Sequence, residues 1–160
     1  MTRDGIRLVL VRHAKSDWGD PSIADHDRPL NERGLRDAPR MARRLAESGF
    51  EADAIVTSTA LRARTTAAAF GEALGVRVTA DERLYGASAR TLWSRASDAD
   101  AARIVLVAHD PGMSVLAARL SGDRIEHMPT CAVATFAWDD DDWNVVDALE
   151  PSDWSFDTPR

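Results

Sequence analysis

Hydrophobic residues fall into short runs that alternate with longer amphipathic stretches along the chain. Residues 6–11 and 104–108 are almost entirely apolar, which is typical of strands buried on both faces of a parallel sheet. Shorter runs at residues 54–57 and 76–78 predict two further strands. The intervening stretches predict four helices, at about residues 31–48, 60–74, 90–96 and 112–120. This alternation predicts an α/β fold with a mostly parallel sheet.

The first predicted helix has a recognisable start and one irregularity. Asn31 can cap its N-terminus, and Leu35, Met41 and Leu45 contribute its apolar face. Pro39 lies inside the stretch and has no backbone N–H, so we expect a kink there or a later start of the helix.

The pattern changes near the C-terminus. Residues 132–138 and 143–148 flank four consecutive aspartates, which predicts a β-hairpin with a charged turn. The aspartates lack the alternating ligand spacing of a calcium loop, so we expect no metal there. We assign residues 1–150 to a single domain and residues 151–160 to a C-terminal tail.

Tryptophan is frequent for a chain of this length. Trp138, Trp143 and Trp154 lie in or near the predicted hairpin, and we expect them to cover one edge of the sheet. The alternative is an exposed aromatic patch that binds a partner protein.

Composition and charge exclude several classes of protein. The 160 residues suit one domain, and 26 acidic against 20 basic side chains give a net charge of -6, which argues against nucleic acid as a partner. Cys131 is the only cysteine, so no intramolecular disulfide or cysteine-based metal cluster is expected. The apolar run at residues 6–11 is too short for a signal peptide or a membrane span. We therefore expect a cytoplasmic protein without a membrane partner.

Three predicted strands lead into residues that suit phosphate chemistry. The first strand runs into Arg12 and His13, the fourth runs into His109, and the second leads to Arg62 at the start of a helix. Because the carboxyl ends of parallel strands meet at one edge of a sheet, we expect these four side chains to converge. One arginine side chain can bind two phosphate oxygens at once, and helix N-termini add N–H donors. Imidazole can act as a covalent nucleophile. The pattern predicts a site for a phosphoryl group.

The sequences around these residues resemble three motifs of the histidine phosphatase superfamily, in the same order. Residues 10–18 (LVRHAKSDW) resemble the first motif, residues 58–67 (STALRARTTA) the second and residues 107–114 (VAHDPGMS) the third. Ala14 stands where most members have glycine. The similarity covers about residues 6–122 and implies a phosphoglycerate mutase-like fold, a three-layer α/β/α sandwich, with no cofactor.

The resemblance also implies a role for each matched residue. It implies that His13 is the nucleophile that becomes phosphorylated. Arg12, Arg62 and His109 would hold the phosphoryl group and stabilise the transition state.

Two further residues are candidates with less support from the motifs. Glu82 lies where many members keep a glutamate that protonates the leaving group. Ser16 follows the first motif closely and is a candidate for substrate binding at the rim of the pocket.

The implied substrate is a phosphorylated side chain on a protein. The short chain and residues 27–34 (DRPLNERG) are most similar to SixA-type phosphohistidine phosphatases, which would make the partner a phosphohistidine-carrying signalling protein. A phosphatase of small phosphate esters with the same residues is an alternative. So is a non-catalytic phosphate-binding module. A mutase is disfavoured because the chain lacks the long insertions that mutases carry over the site.

Overall fold

The computed structural model describes residues 5–160; residues 1–4, part of the polar N-terminus of the predicted domain, lie outside that range. The strands are β1 (Arg7–Arg12), β2 (Ala54–Thr57), β3 (Val78–Ala80), β4 (Arg103–Ala108), β5 (Val133–Ala137) and β6 (Asp153–Asp157). The helices are α1 (Glu32–Glu47), α2 (Leu61–Leu74), α3 (Ala89–Asp98), α4 (Gly112–Leu120) and α5 (Trp143–Val146). The strands and the four longer helices alternate through α4, as the hydrophobic pattern predicts.

The six strands form one sheet in the order β3-β2-β4-β1-β5-β6. β3, β2, β4 and β1 are parallel, and β5 and β6 are antiparallel to their neighbours. Alternate residues of β1 point to opposite faces of the sheet, as the two-residue period of a strand requires. Leu8 and Leu10 belong to the core under α3 and α4, whereas Val9 and Val11 belong to the core under α1 and α2. The fold is therefore a mixed α/β fold with helices on both faces of a central sheet.

Helix α1 starts as predicted and departs from the prediction at Leu35. Asn31 does cap it, accepting a hydrogen bond from the N–H of Gly34. Pro39 lies inside the helix, which runs from Glu32 to Glu47 and therefore does not start at the proline. Leu35, which we placed on the apolar face, is 55% exposed, because the buried side of the helix is formed by other residues, including Met41 and Leu45.

The C-terminal hairpin has a different second strand from the predicted one. β5 falls within residues 132–138 as predicted, but Trp143–Val146 is a short helix, because the Asp142 side chain accepts a hydrogen bond from the N–H of Asn144 and caps it. The strand that pairs with the outer side of β5 is β6, within residues 151–160, and β1 pairs with the other side. The segment that we assigned to a tail therefore supplies the edge strand of the sheet.

The tryptophans near this hairpin belong to the core or pack against it. Trp138 is buried, and its ring centroid lies 5.6 Å from that of Trp93 in an edge-to-face arrangement. The ring centroid of Trp143 lies 5.4 Å from that of Trp93, again in an edge-to-face arrangement. Trp143 and Trp154 are half-buried and pack against the core cluster that contains Trp93 and Trp138. No helix among residues 5–160 is long and apolar enough to cross a membrane.

Candidate active site

Three neighbouring strands end at the same edge of the sheet. Arg12 of β1 is in register with Ala108 of β4, and Thr57 of β2 is in register with Val107 of β4. The residues that follow these strands, His13, Ser58 and His109, therefore emerge side by side. The sheet order places them at its centre, where β4 lies between β1 and β2.

His13 is buried and held in one orientation by its own backbone segment. Its Nδ1 lies 2.8 Å from the carbonyl oxygen of Ala14. Because a carbonyl oxygen only accepts, Nδ1 carries the proton in this contact and Nε2 of the neutral ring keeps a free electron pair. The pKa of His13 is lowered to about 4, mainly by burial and to a smaller extent by the positive charges of Arg62 and Arg12, while the bond to Ala14 acts in the opposite direction. The ring is neutral at physiological pH and suits a nucleophile.

His109 stands next to His13, with the two ring centroids 5.1 Å apart. Its Nε2 lies 2.7 Å from the hydroxyl oxygen of Ser58. Its Nδ1 is buried and has no hydrogen-bond partner among residues 5–160. Burial lowers the pKa of His109 to about 3, with smaller contributions from His13 and Arg62 in the same direction. A second neutral imidazole therefore faces the first.

Arg62 supplies a buried positive charge from the first turn of α2. Its side chain is only 9% exposed. Nη1 donates to the backbone carbonyl of Asp25 at 2.6 Å, and Nη2 donates to the Asp25 carboxylate at 3.0 Å. A cation at a helix N-terminus is unfavourable unless an anion compensates it. Asp25 provides that anion in the structure.

Arg12 is the last residue of β1, which lies on the other side of β4 from β2. Its Nη1 donates to the carbonyl oxygen of Met128 at 2.9 Å and lies 3.6 Å from a carboxylate oxygen of Asp110. The Asp110 carboxylate is fixed by the backbone N–H of Ser114 at 2.9 Å and by its hydroxyl at 2.7 Å. Two arginines and two neutral histidines thus surround one point at the edge of the sheet, an arrangement that suits a phosphoryl group.

Comparison with known proteins agrees with this geometry. Residues 8–89 match the family model described as histidine phosphatase superfamily (branch 1). The chain belongs to the histidine phosphatase superfamily.

Individual relatives place it near the SixA group of that superfamily. A structure from Agrobacterium tumefaciens, assigned as the phosphohistidine phosphatase SixA, is 30% identical with a TM-score of 0.78, over 84% of this chain and 92% of that one. A similarly assigned SixA structure from Nakamurella multipartitia is 25% identical with a TM-score of 0.81, over 99% of both chains. An uncharacterised protein of Mycobacterium tuberculosis is 40% identical over 137 residues, which is 78% of this chain and 84% of that protein.

The superfamily's usual glycine after the nucleophile is replaced here without backbone strain. Ala14 is fully buried, and it is not among the described residues that have positive φ. Its N–H donates to the hydroxyl of Thr66 at 3.0 Å, and Thr66 in turn donates to the carbonyl of Arg62 at 2.8 Å. These two hydrogen bonds connect the segment after His13 to the helix that carries Arg62.

The backbone on the other side of His13 is held by Cys131. Its N–H lies 3.0 Å from the carbonyl oxygens of both Arg12 and His13, and its φ is 63°. The thiol is buried, which raises the pKa of Cys131 to about 12. Cys131 therefore contributes through its backbone, and its side chain is a neutral part of the core.

The two weaker candidates are not brought into contact with this group. Glu82 is exposed, and no hydrogen bond or ion pair in the described part of the chain joins it to His13, Arg62 or His109. Ser16 is buried, and its hydroxyl oxygen accepts a hydrogen bond from the Trp18 indole at 2.8 Å.

Sequence reasoning missed two residues that touch the site. Asp25 binds Arg62, and Tyr85 donates its hydroxyl to the same Asp25 carboxylate at 2.5 Å. The Tyr85 ring also lies edge-on to His109, with centroids 5.5 Å apart. Asp25 lies in a polar loop without periodic pattern, so the sequence carries no signal for it. Ser58 and Thr66 lie within the second motif, but the motif alone does not assign them a partner.

Proposed function

We propose that this protein is a phosphatase that works through a covalent phosphohistidine on His13. The observation that supports it best is the neutral, oriented imidazole of His13 beside Arg62, Arg12 and His109. A site that only bound phosphate would have no need for a nucleophile with a free electron pair directed away from its backbone anchor.

The proposed reaction has two displacements. Nε2 of His13 attacks phosphorus in line, the bond from phosphorus to the leaving group breaks, and its electron pair stays with the leaving group. Arg12, Arg62 and His109 hold the equatorial oxygens, where charge develops in the transition state. Water then attacks the phosphoryl group on His13, which releases inorganic phosphate and restores the neutral imidazole. The arginines supply the positive charge, so the proposal requires no metal.

We further propose that the substrate is phosphohistidine on a partner protein. The support is the 30% identity to a protein assigned as a SixA phosphohistidine phosphatase, over most of both chains. Imidazole is a better leaving group than an alkoxide, and a phosphohistidine substrate therefore needs little help from a general acid. This matches a site in which Glu82 makes no contact with the phosphoryl-binding residues.

The first test is hydrolysis of an aryl phosphate by the wild type and by His13→Ala, without added metal. We expect His13→Ala to lower the rate by about 10³-fold or more, because loss of a nucleophile cannot be replaced by its neighbours. Intact mass spectrometry after an acid-free quench should show a phosphoryl adduct on the wild type alone. Arg36→Ala, which changes an exposed residue of α1, serves as the control.

Each other result has a distinct meaning. Unchanged turnover in His13→Ala would contradict the covalent mechanism. Tight binding of inorganic phosphate without turnover of an aryl phosphate or of a phosphohistidine protein would identify a binding module instead.

A further inference from the structure

The Asp25 carboxylate occupies a position that the proposed reaction does not use. Asp25 lies in a short 3₁₀ turn (Asp25–Asp27) of the loop after β1. Its side chain is 45% exposed, whereas the Arg62 side chain that it contacts is 9% exposed. The carboxylate therefore lies on the open side of the arginine that we assign to the phosphoryl group.

One oxygen of this carboxylate is fixed and the other is free. Oδ2 accepts from both Arg62 and Tyr85, at 3.0 Å and 2.5 Å. No hydrogen bond from the described residues reaches Oδ1. An oriented carboxylate with one unused oxygen can accept a hydrogen bond from a substrate at that oxygen.

The geometry of in-line attack puts the leaving group on this open side. His13 is buried, with 7% exposure, whereas the Asp25 side chain is 45% exposed. Because the leaving group departs opposite the nucleophile, it points toward solvent, where Asp25 and Tyr85 form part of the rim. Asp110, the other carboxylate near the site, has its oxygens bonded to Ser114 and is not available in the same way.

The charge state of Asp25 restricts what it can do. The hydroxyl of Tyr85, and then Arg62, hold the pKa of the Asp25 carboxyl below its usual value. Arg62, Tyr85 and His109 face it from three elements, and His26 lies next to it in the chain, with its ring against that of Tyr85. An ionised carboxylate cannot donate a proton to an ester oxygen. It can accept an N–H hydrogen bond and stabilise a cation.

We infer that Asp25 is a specificity-determining residue that binds the distal N–H of a phosphorylated imidazole. This inference rests on the proposed function and names a group that selects phosphoimidazole over phosphate esters. An ester has no N–H and no cationic ring at the corresponding place, so its leaving group gains no contact from the carboxylate.

The same contact assists bond cleavage without an added proton. A phosphorylated imidazole that is protonated on its distal nitrogen is a cation, which Asp25 stabilises. When the bond from nitrogen to phosphorus breaks, the electron pair remains on the nitrogen. The imidazole leaves as a neutral ring with the proton still on its distal nitrogen, and the phosphoryl group is transferred to His13.

The test compares Asp25→Asn with the wild type on two substrates, N-phosphoimidazole and an aryl phosphate with a good leaving group. Loss of a charged hydrogen-bond acceptor should lower kcat/KM for N-phosphoimidazole about tenfold or more, and kcat/KM for the aryl phosphate should stay the same or rise. The basic limb of the pH profile for N-phosphoimidazole should move to lower pH in Asp25→Asn, because the carboxylate no longer favours the protonated ring. Glu72→Gln removes an exposed carboxylate of α2 and should leave the ratio of the two kcat/KM values unchanged.

A second variant separates this role from a structural one. Tyr85→Phe keeps the carboxylate but removes the hydroxyl that orients it. It should therefore lower the ratio of kcat/KM for N-phosphoimidazole to kcat/KM for the aryl phosphate, by a smaller factor than Asp25→Asn does. Equal losses on both substrates, with an unmoved pH profile, would mean that Asp25 only positions Arg62 and would overturn the inference. Failure of the proposed function would be recognised separately, by His13→Ala keeping the wild-type rate on the aryl phosphate.

Discussion

Burial sets the protonation state of both histidines in the site. His13 and His109 lie at the ends of buried strands, and desolvation is the largest influence on both rings. Arginines nearby act in the same direction, because a cation disfavours a second cation. An exposed imidazole would be partly protonated near neutral pH, whereas these rings remain neutral and one of them can attack phosphorus.

This protonation can be measured directly. We expect the His13 imidazole to titrate near pH 4 in an NMR titration of the free protein, rather than near the reference value of about 6.5. The signal is assigned by its absence in His13→Asn. A midpoint near the reference value would show that the ring is exposed in solution and contradict its burial.

The sign of the effect on stability follows from the lowered pKa. As the pH falls below about 6.5, the unfolded chain takes up protons at these two histidines and the folded protein does not. This contribution to the free energy of unfolding therefore decreases with falling pH until the folded-state pKa values are reached, about 4 for His13 and about 3 for His109.

The residues of the site differ in how well the sequence predicts them. His13, Arg62 and His109 follow hydrophobic runs that predict their strands, so their convergence follows from the order of elements. Asp25 comes from a loop whose path is set by tertiary contacts with Arg62 and Tyr85. No local pattern encodes such a path, and the residue becomes visible only in the folded chain.

At the scale of elements, α1 contacts the segment that follows His13 through Gly34. A Cβ atom on Gly34 would lie 2.2 Å from the carbonyl oxygen of Lys15. The same carbonyl accepts a hydrogen bond from the N–H of Asn31 at 3.0 Å. The start of α1 and the segment after His13 are therefore packed backbone to backbone, and only glycine permits this distance.

Gly34→Ala should destabilise the protein, although alanine normally stabilises a helix by about 0.5–1 kcal/mol relative to glycine. We expect a loss of about 1–3 kcal/mol in the free energy of unfolding, because the methyl group must displace backbone. Denaturant unfolding measures it, together with a lower rate on an aryl phosphate as the segment after His13 shifts. Arg36→Ala, an exposed change in the same helix, is the control. A more stable Gly34→Ala would disprove the close contact.

In the C-terminal elements the structure differs from what the hydrophobic pattern predicts. Residues 143–148 are mostly apolar and suggest a strand, but the Asp142 cap makes their first four residues a helix. Strand β6 has the sequence DWSFD, in which polar and aromatic residues alternate, and it is mostly exposed. An edge strand of this kind buries little surface, so its hydrophobic signal is weak, and pairing with β5 decides its structure.

At the scale of the whole molecule, the last residues connect the β6 edge of the sheet to helix α1. β6 pairs with β5 along five residues. Arg44 of α1 contacts Asp157 at 3.2 Å and the carbonyl of Thr158 at 2.9 Å. Arg160 contacts Asp37 of the same helix at 3.2 Å. The segment 153–160 is therefore part of the folded structure.

Deletion of residues 153–160 should destabilise the protein by at least about 2 kcal/mol, since it removes a ladder of backbone hydrogen bonds. It should also promote aggregation, because β5 would become an unpaired edge next to β1. Thermal unfolding and light scattering measure the two effects. Arg160→Ala, which removes only one ion pair, should unfold close to the wild-type temperature. A deletion variant as stable as the wild type would show that the segment is a tail after all.

Cys131 has a further consequence for the environments in which the enzyme can work. Its thiol is buried and holds its proton because its pKa is raised to about 12, and the proposed nucleophile is a nitrogen atom. Peroxide and alkylating reagents attack cysteine as the thiolate, and Cys131 is not in that form. The proposed activity would persist under oxidative stress that inactivates phosphatases with a cysteine nucleophile.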